Sequence, residues 1–248
     1  PLEKKYLDLK TGWIIGKKME FSINQWRKIK KICNKNKITF LSSPFSIKAA
    51  EILKKLDVPA WKIGSGEFFS KSLINKIIKY KQPVILSTGL STLNEISSLI
   101  KIFKIKKIPF VLMQCTSLYP CNLKDVGINI IDVYKTKFKC FVGLSDHSGS
   151  IYPSLLAIAK GVSLVEVHVG DKNDKNNPDS SSSINFSELS KLVNARDAIY
   201  IMNNNPQNKK KLNLKLKKIK KIFTKSCALK KPKKRGQILV KDDIIFKK

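Results

Sequence analysis

Phe141-Val142-Gly143-Leu144-Ser145-Asp146-His147 and Leu164-Val165-Glu166-Val167-His168 each run from apolar residues into polar ones and end on a histidine, and the chain has no other histidine. Imidazole is the commonest side-chain ligand of transition metals and the usual proton carrier near neutral pH. Four more short apolar runs upstream lead into polar residues in the same way. Residues 38–41 lead to Ser43, and residues 60–63 carry Lys62 and lead to Ser65 and Glu67; residues 84–86 lead to Ser87, and 110–113 to Ser117 and Tyr119. With 141–144 and 164–167 this makes six runs at a spacing of about 20–30 residues, the length of a β-α unit. The segments between and after them, 47–56, 73–80, 93–103, 129–134, 153–160 and 186–202, carry apolar residues at helical spacing. Continuous apolar strands of this kind fit a parallel sheet covered on both faces. An open doubly wound sheet gathers its ligand groups at one switch point. Polar residues at the end of every strand point instead to the mouth of a barrel. The expected fold class is therefore α/β, a (β/α)8 TIM barrel, incomplete because six strands are counted and residues 1–37 read as helix or loop.

The remaining composition narrows the function classes. A formal charge of +31 over 248 residues first suggests a nucleic-acid binder. Arginine, the preferred reader of phosphates and bases, occurs only at 27, 196 and 235. The lysines are scattered among asparagine and isoleucine, which reads as codon bias of an AT-rich genome rather than as a dedicated binding face. Such a charge still attracts polyanions without specificity. The five cysteines form no Cys-x-x-Cys pair, so a zinc ribbon is not expected. An odd number of cysteines with no secretory signal fits free thiols and a cytoplasmic location, and Cys115 reads as a core thiol. No stretch of 18 apolar residues occurs, so no membrane span is expected. The composition changes after Pro206. Residues 1–205 are expected to form the barrel domain and 206–225 a basic linker or short helix, with 226–248 as the first β elements of a further small domain.

Taken in order, Phe40-Leu41-Ser42-Ser43-Pro44-Phe45, Lys62-Ile63-Gly64-Ser65-Gly66-Glu67, Leu86-Ser87-Thr88-Gly89, Gln114-Cys115-Thr116-Ser117-Leu118-Tyr119-Pro120, Gly143-Leu144-Ser145-Asp146-His147 and Glu166-Val167-His168 resemble the sialic acid synthases. That family comprises N-acetylneuraminate synthase and its legionaminate and pseudaminate relatives. Pro178-Asp179 followed by Ser180–Ser183 resembles its Pro-Asp-x-Ser segment. Each motif alone is weak; six in order at barrel spacing are specific. The resemblance implies a (β/α)8 barrel joined to a small antifreeze-like (SAF) domain. The activity it implies is condensation of phosphoenolpyruvate with an N-acetylated amino sugar, N-acetylmannosamine or a 2,4-diacetamido relative, to a nine-carbon sialic-type acid with release of phosphate. It also implies a divalent metal, Mn²⁺ or else Mg²⁺, a homodimer, and neither a specific nucleic acid nor a membrane as partner. The six runs then correspond to strands three to eight. The first two strands, with an acidic residue and a lysine of the active site, are expected before Pro1, and most of the SAF domain after Lys248. A chain truncated at both ends is expected to show no synthase activity alone. The alternatives are an inactive fragment or a basic protein that binds polyanions without specificity.

The same resemblance assigns roles. Lys62, Ser43, Ser65, Ser87, Ser117 and Ser145 correspond to the phosphoenolpyruvate contacts, although relatives often have threonine at the position of Ser43 and asparagine at that of Ser117. His147 and His168 correspond to the metal ligands. Glu67 and Glu166, with Lys62, are the catalytic candidates, the glutamates orienting water or moving protons. Tyr119 and Asp179 are candidates for holding sugar hydroxyls, whereas Asp146 reads equally well as a residue that orients its strand. Ser180 stands where many sialic acid synthases have a second histidine, which leaves the sugar open.

Overall fold

The computed structural model describes residues 20–174 and 177–248. These fall into two compact units that divide between Tyr200 and Ile201. In the first, α1 (Ile23–Lys35) and α2 (Ile47–Lys55) precede a run of alternating strands and helices. That run is β1 (Trp61–Ile63), α3 (Lys71–Lys79), β2 (Val84–Ser87), α4 (Leu93–Ile105), β3 (Phe110–Cys115), α5 (Ile130–Phe138), β4 (Phe141–Asp146), α6 (Tyr152–Ala159), β5 (Leu164–Val169), β6 (Ser183–Ile184) and α7 (Phe186–Asn204), whose end from Ile201 onward falls in the second unit.

The six strands are parallel and lie in the order β1-β2-β3-β4-β5-β6. Each crossover therefore steps one place in the same direction. A doubly wound sheet reverses direction at a switch point; this half-barrel sheet does not. Its core is built from Trp61, Ile63, Ile77, Leu86, Ile96, Phe103, Leu112, Ile131 and Leu144, all essentially without exposure.

The repeat is maintained by a common turn. After the successive helices α1 to α6, the backbone passes through the left-handed region at Lys37, Asp57, Lys81, Lys107, Lys139 and Gly161. A residue in that conformation closes the last helical turn and redirects the chain. Only Gly161 adopts it without a side-chain penalty. The helix starts are capped as the sequence suggests, most completely at α4. There the Thr92 hydroxyl accepts from the Glu95 N–H, and the Glu95 carboxylate accepts from the Thr92 N–H at 2.7 Å.

Two expectations are corrected. Residues 38–41 are not a strand: the Ile38 N–H donates to the Cys33 carbonyl at 2.9 Å, closing the end of α1 instead of joining a ladder, and Ile38 and Leu41 face solvent. The sixth strand is instead β6, whose two residues pair with His168 and Val169. A two-residue strand in a serine-rich segment has no apolar run to announce it. The first 19 residues of the segment 1–37, read as helix or loop, lie outside the described residues, and α1 accounts for much of the rest.

The second unit contains α8 (Leu214–Phe223) and an antiparallel pair, β7 (Ser226–Leu229) with β8 (Ile244–Lys247). No residue of this unit is buried. Among the described residues, no helix is long and apolar enough to cross a membrane.

Candidate functional site

Parallel strands deliver their C-terminal residues to one edge of the sheet, and three linked groups of side chains form there. The first spans β1, β2, β4 and β5. Lys62 Nζ donates to Ser87 Oγ at 2.8 Å and lies 3.4 Å from Glu166 Oε1, which also accepts from Ser145 Oγ at 3.3 Å. The ladder register accounts for each pair: Lys62 pairs with Ile85, two residues before Ser87 on the same strand, and Ser145 pairs directly with Glu166. One buried-stem cation, two hydroxyls and a half-exposed carboxylate make a polar floor that a phosphate or carboxylate could contact.

The second group surrounds Cys115. Its sulfur lies 3.7 Å from Ser65 Oγ, 3.8 Å from Ser117 Oγ and 3.9 Å from His147 Nδ1. Ser65 Oγ also accepts from the Gly89 N–H at 3.0 Å. A Cβ on Gly89 would collide with Ser117 Oγ and lie 2.9 Å from the Cys115 sulfur, so the close approach of these loops requires glycine there. Cys115 was expected only as a core thiol. The available signal was its place two residues before Ser117 at a strand end, where period two puts both side chains on one side of the backbone.

The third group holds the histidines. His147 is buried, and its Nδ1 lies 3.0 Å from the Thr116 carbonyl, which can only accept. Nδ1 therefore carries a hydrogen and Nε2 faces outward, where the Tyr119 hydroxyl lies 3.1 Å away. His168 Nδ1 lies 3.5 Å from Asp179 Oδ2. The two imidazole centroids are 5.2 Å apart, with the Tyr119 ring 4.3 Å from His147 and 5.7 Å from His168. Each Nδ1 thus faces an acceptor, the Thr116 carbonyl at hydrogen-bond distance for His147 and the Asp179 carboxylate at 3.5 Å for His168, which is the arrangement that orients a ligating imidazole through its other nitrogen. As a pair they fit a divalent ion held through Nε2. No cluster of three or more His, Cys, Asp or Glu side chains with ligand geometry occurs among the described residues, so water or substrate oxygens would complete the shell.

The electrostatics differ from group to group. Burial works against ionisation of the Cys115 thiol, but the contacts with His147, Ser65 and Ser117 outweigh it and leave the thiol below its ordinary range. Burial likewise opposes charge on His147, but Cys115, the Thr116 carbonyl and Glu166 raise it above the ordinary imidazole value. His168 moves the other way, lowered by burial and by His147 against the pull of Asp179. Tyr119 is pushed up to about 12 by burial, then by the negative charge of Cys115, Asp179 and Glu166. Burial raises the Asp146 carboxyl, and its bonds from Ser148 and Ser154 only partly offset this. Asp146 thereby ties the turn after β4 to α6.

Two of the expected site residues stand apart from these contacts. Glu67 lies on a single helical turn after β1, and Ser43 in the extended segment before α2; neither side chain makes a hydrogen bond or ion pair among the described residues.

Comparison with known proteins places this geometry. The sequence pattern of the NeuB family matches residues 4–208. The chain is 34% identical over 210 residues to a pseudaminic acid synthase of Campylobacter jejuni, covering 84% of this chain and 60% of that protein. It is 32% identical over 178 residues to an N,N'-diacetyllegionaminic acid synthase of the same species, covering 71% of this chain and 53% of that protein. The crystal structure of an N-acetylneuraminic acid (sialic acid) synthetase from Leptospira borgpetersenii, in complex with citrate, superposes with a TM-score of 0.79 at 29% identity, covering 89% of this chain and 76% of the other. The chain spans about half to three fifths of the length of the curated relatives it matches.

Proposed function

The chain belongs to the NeuB family, and on that premise we propose that it is the barrel portion of a sialic-type acid synthase, with residues 206–225 a linker and 226–248 the opening of a SAF domain. The reaction proposed condenses phosphoenolpyruvate with the open-chain aldehyde of an N-acetylated amino sugar. C3 of phosphoenolpyruvate forms a bond to the aldehyde carbon, whose oxygen takes a proton. Water adds to the resulting cation at C2 and loses a proton. The tetrahedral intermediate then breaks the C2–O bond to the phosphate group; the C2 hydroxyl gives up its proton as it becomes the ketone, and phosphate leaves.

The observation that supports this reading is the convergence of Lys62, Ser87, Ser145 and Glu166 from four strands on one spot. A cation with hydroxyl donors suits the carboxylate and phosphate of phosphoenolpyruvate. Ser65 and Ser117, with the Gly89 N–H, extend the set of donors, and Ser43 would join them from the segment before α2. Glu166, already bound to Lys62 and Ser145, is placed to orient water or hold its proton, a role Glu67 shares in the proposal. Asp179, beside His168, is positioned to hold a sugar hydroxyl. His147 and His168 would hold a divalent ion, Mn²⁺ or Mg²⁺, which when bound supplies Lewis-acid polarisation of an aldehyde oxygen. The sugar class proposed is N-acetylmannosamine or a 2,4-diacetamido hexose, the latter in keeping with the products named in the two Campylobacter relatives. A homodimer and a cytoplasmic location belong to the same proposal.

Calorimetric titration of the chain with phosphoenolpyruvate tests it. Lys62→Ala should weaken binding by about tenfold or more, the loss of a charged hydrogen bond. Phosphate released by the complete open reading frame, with Mn²⁺ and a panel of N-acetylated sugars, should depend on both the sugar and Lys62. Unchanged phosphoenolpyruvate binding in Lys62→Ala, or release that ignores the sugar, overturns the reading.

A second, weaker association is favoured by charge. Residues 201–248 hold 17 of the 49 basic residues and 2 of the 18 acidic ones, and no side chain there is buried. Attraction of this kind to polyanions is non-specific and falls steeply with salt.

A further inference from the structure

We propose that the Tyr119 hydroxyl is a displaceable occupant of the metal position. It holds His147 Nε2 until an ion takes that nitrogen, and the released phenol then becomes a donor to the sugar. This rests on the metal reading of His147 and His168 given above.

Three observations carry the inference. Nδ1 of His147 is committed to the Thr116 carbonyl at 3.0 Å, so Nε2 is the only nitrogen through which this ring can ligate. That nitrogen is met by Tyr119 Oη at 3.1 Å. A phenol and a metal ion cannot share one imidazole lone pair. The tyrosine ring also stands beside both imidazoles, tilted against His147 at 4.3 Å and edge-on to His168 at 5.7 Å between centroids, so the ring that carries the hydroxyl borders both prospective ligands. Lastly, Tyr119 is 50% exposed on the loop after β3, next to the equally exposed Leu118, whereas His147 is buried. The tyrosine can swing outward without opening the core; the histidine cannot. The role first expected for Tyr119, binding a sugar hydroxyl, then follows metal entry instead of preceding it, and the ion binds before the sugar.

Tyr119→Phe keeps the ring and removes the competing oxygen. Binding of Mn²⁺ is read from the loss of the free-ion EPR signal in titrations of wild type, Tyr119→Phe and His147→Ala, with circular dichroism confirming that each is folded. Tyr119→Phe should bind Mn²⁺ about two- to tenfold more tightly than wild type, the range of one released hydrogen bond. Mn²⁺ should also perturb the tyrosine absorption of wild type, and that change should be missing from the Tyr119→Phe difference spectrum. Equal or weaker affinity in Tyr119→Phe, with His147→Ala abolishing binding, overturns the role of Tyr119 and leaves the metal reading standing. Absence of Mn²⁺ binding in wild type and Tyr119→Phe alike overturns both.

Discussion

Strands β4 and β5 are neighbours, run parallel and each bring a histidine to the same rim, yet they are supported differently. Five of the six residues of β4 are buried; none of the six in β5 is. β4 has β3 along one side and β5 along the other. β5 pairs with β6 only at His168 and Val169, so residues 164–167 have a ladder partner on one side alone among the described residues. The histidines inherit this difference. His147 is fixed by the Thr116 carbonyl, Cys115 and Tyr119, and its own carbonyl accepts from the Cys121 N–H at 2.9 Å. The polar partner of the His168 ring among the described residues is Asp179 at 3.5 Å, beside its ring contacts with Tyr119 and His147. The pair therefore consists of one imidazole set by the core and one set by a loop. The rigid member defines where an ion would sit, and the looser one adapts to it.

The largest test of this contrast is a matched pair of truncations. Leu144→Ala in β4 removes a side chain with no exposure and should cost about 2–5 kcal/mol, because the cavity cannot collapse between two packed neighbours. Val165→Ala in half-buried β5 should cost about 1 kcal/mol, the common value for a site outside the core. Urea unfolding midpoints at constant slope give both numbers. Equal costs would show that β5 is as deeply packed as β4 and would remove the basis of the comparison.

A smaller effect is expected where the two strands touch. A Cβ on Gly143 would collide with the Met113 sulfur and lie 2.6 Å from the Leu164 carbonyl oxygen. Methionine can move aside, but the β5 backbone cannot do so without breaking the ladder. Gly143→Ala should therefore cost about 1–3 kcal/mol, in the range of overpacked cores. Gly64→Ala serves as the control, because no atom lies within 4 Å of its added methyl. A neutral Gly143→Ala would mean that β5 yields more readily than its pairing suggests.

This contrast also marks how far the sequence could be read. β1 to β5 were legible because each is an apolar run ending in polar residues, and their one-way order because those polar residues close every strand instead of gathering at one switch point. The residues brought together at the rim, Lys62, Ser87, Ser145, Glu166, His147 and His168, were legible for the same reason. What failed was local hydrogen bonding that no pattern of apolar residues encodes. Residues 38–41 carry the composition of a strand, but Lys37 takes the left-handed conformation and Ile38 closes α1. β6 is too short and too polar to be announced. Cys115 was visible only as an apolar residue, because its contacts with Ser65 and His147 come from loops distant in sequence. The basic composition of residues 206–225 left linker and short helix both open; α8 forms there, and every residue of that helix is exposed.

The smallest expected effect concerns the loop that follows β5. Lys172 donates to the Gly149 carbonyl at 3.0 Å and to Glu188 at 2.8 Å, linking the turn after β4, the loop after β5 and the start of α7. It is the kind of tie that would steady Asp179, and with it His168, from outside the sheet. The Lys172 hydrogen bond, then the Asn185 N–H, hold the Glu188 carboxyl below the usual carboxylate range. A carboxyl whose folded pKa is depressed adds stability above its unfolded value, near pH 4.3, and loses it as pH falls through the lower folded value. Glu188→Gln should therefore leave stability near pH 3 almost unchanged and lower it at pH 6 by less than about 1 kcal/mol, since the pair is exposed. Melting temperatures of both chains across pH 3–6 measure the difference. If the tie acts on the rim, Glu188→Gln should also shift the His168 imidazole resonances while leaving those of His147 in place. Equal movement of both histidines would show that the loop after β5 and the core of β4 respond as one body.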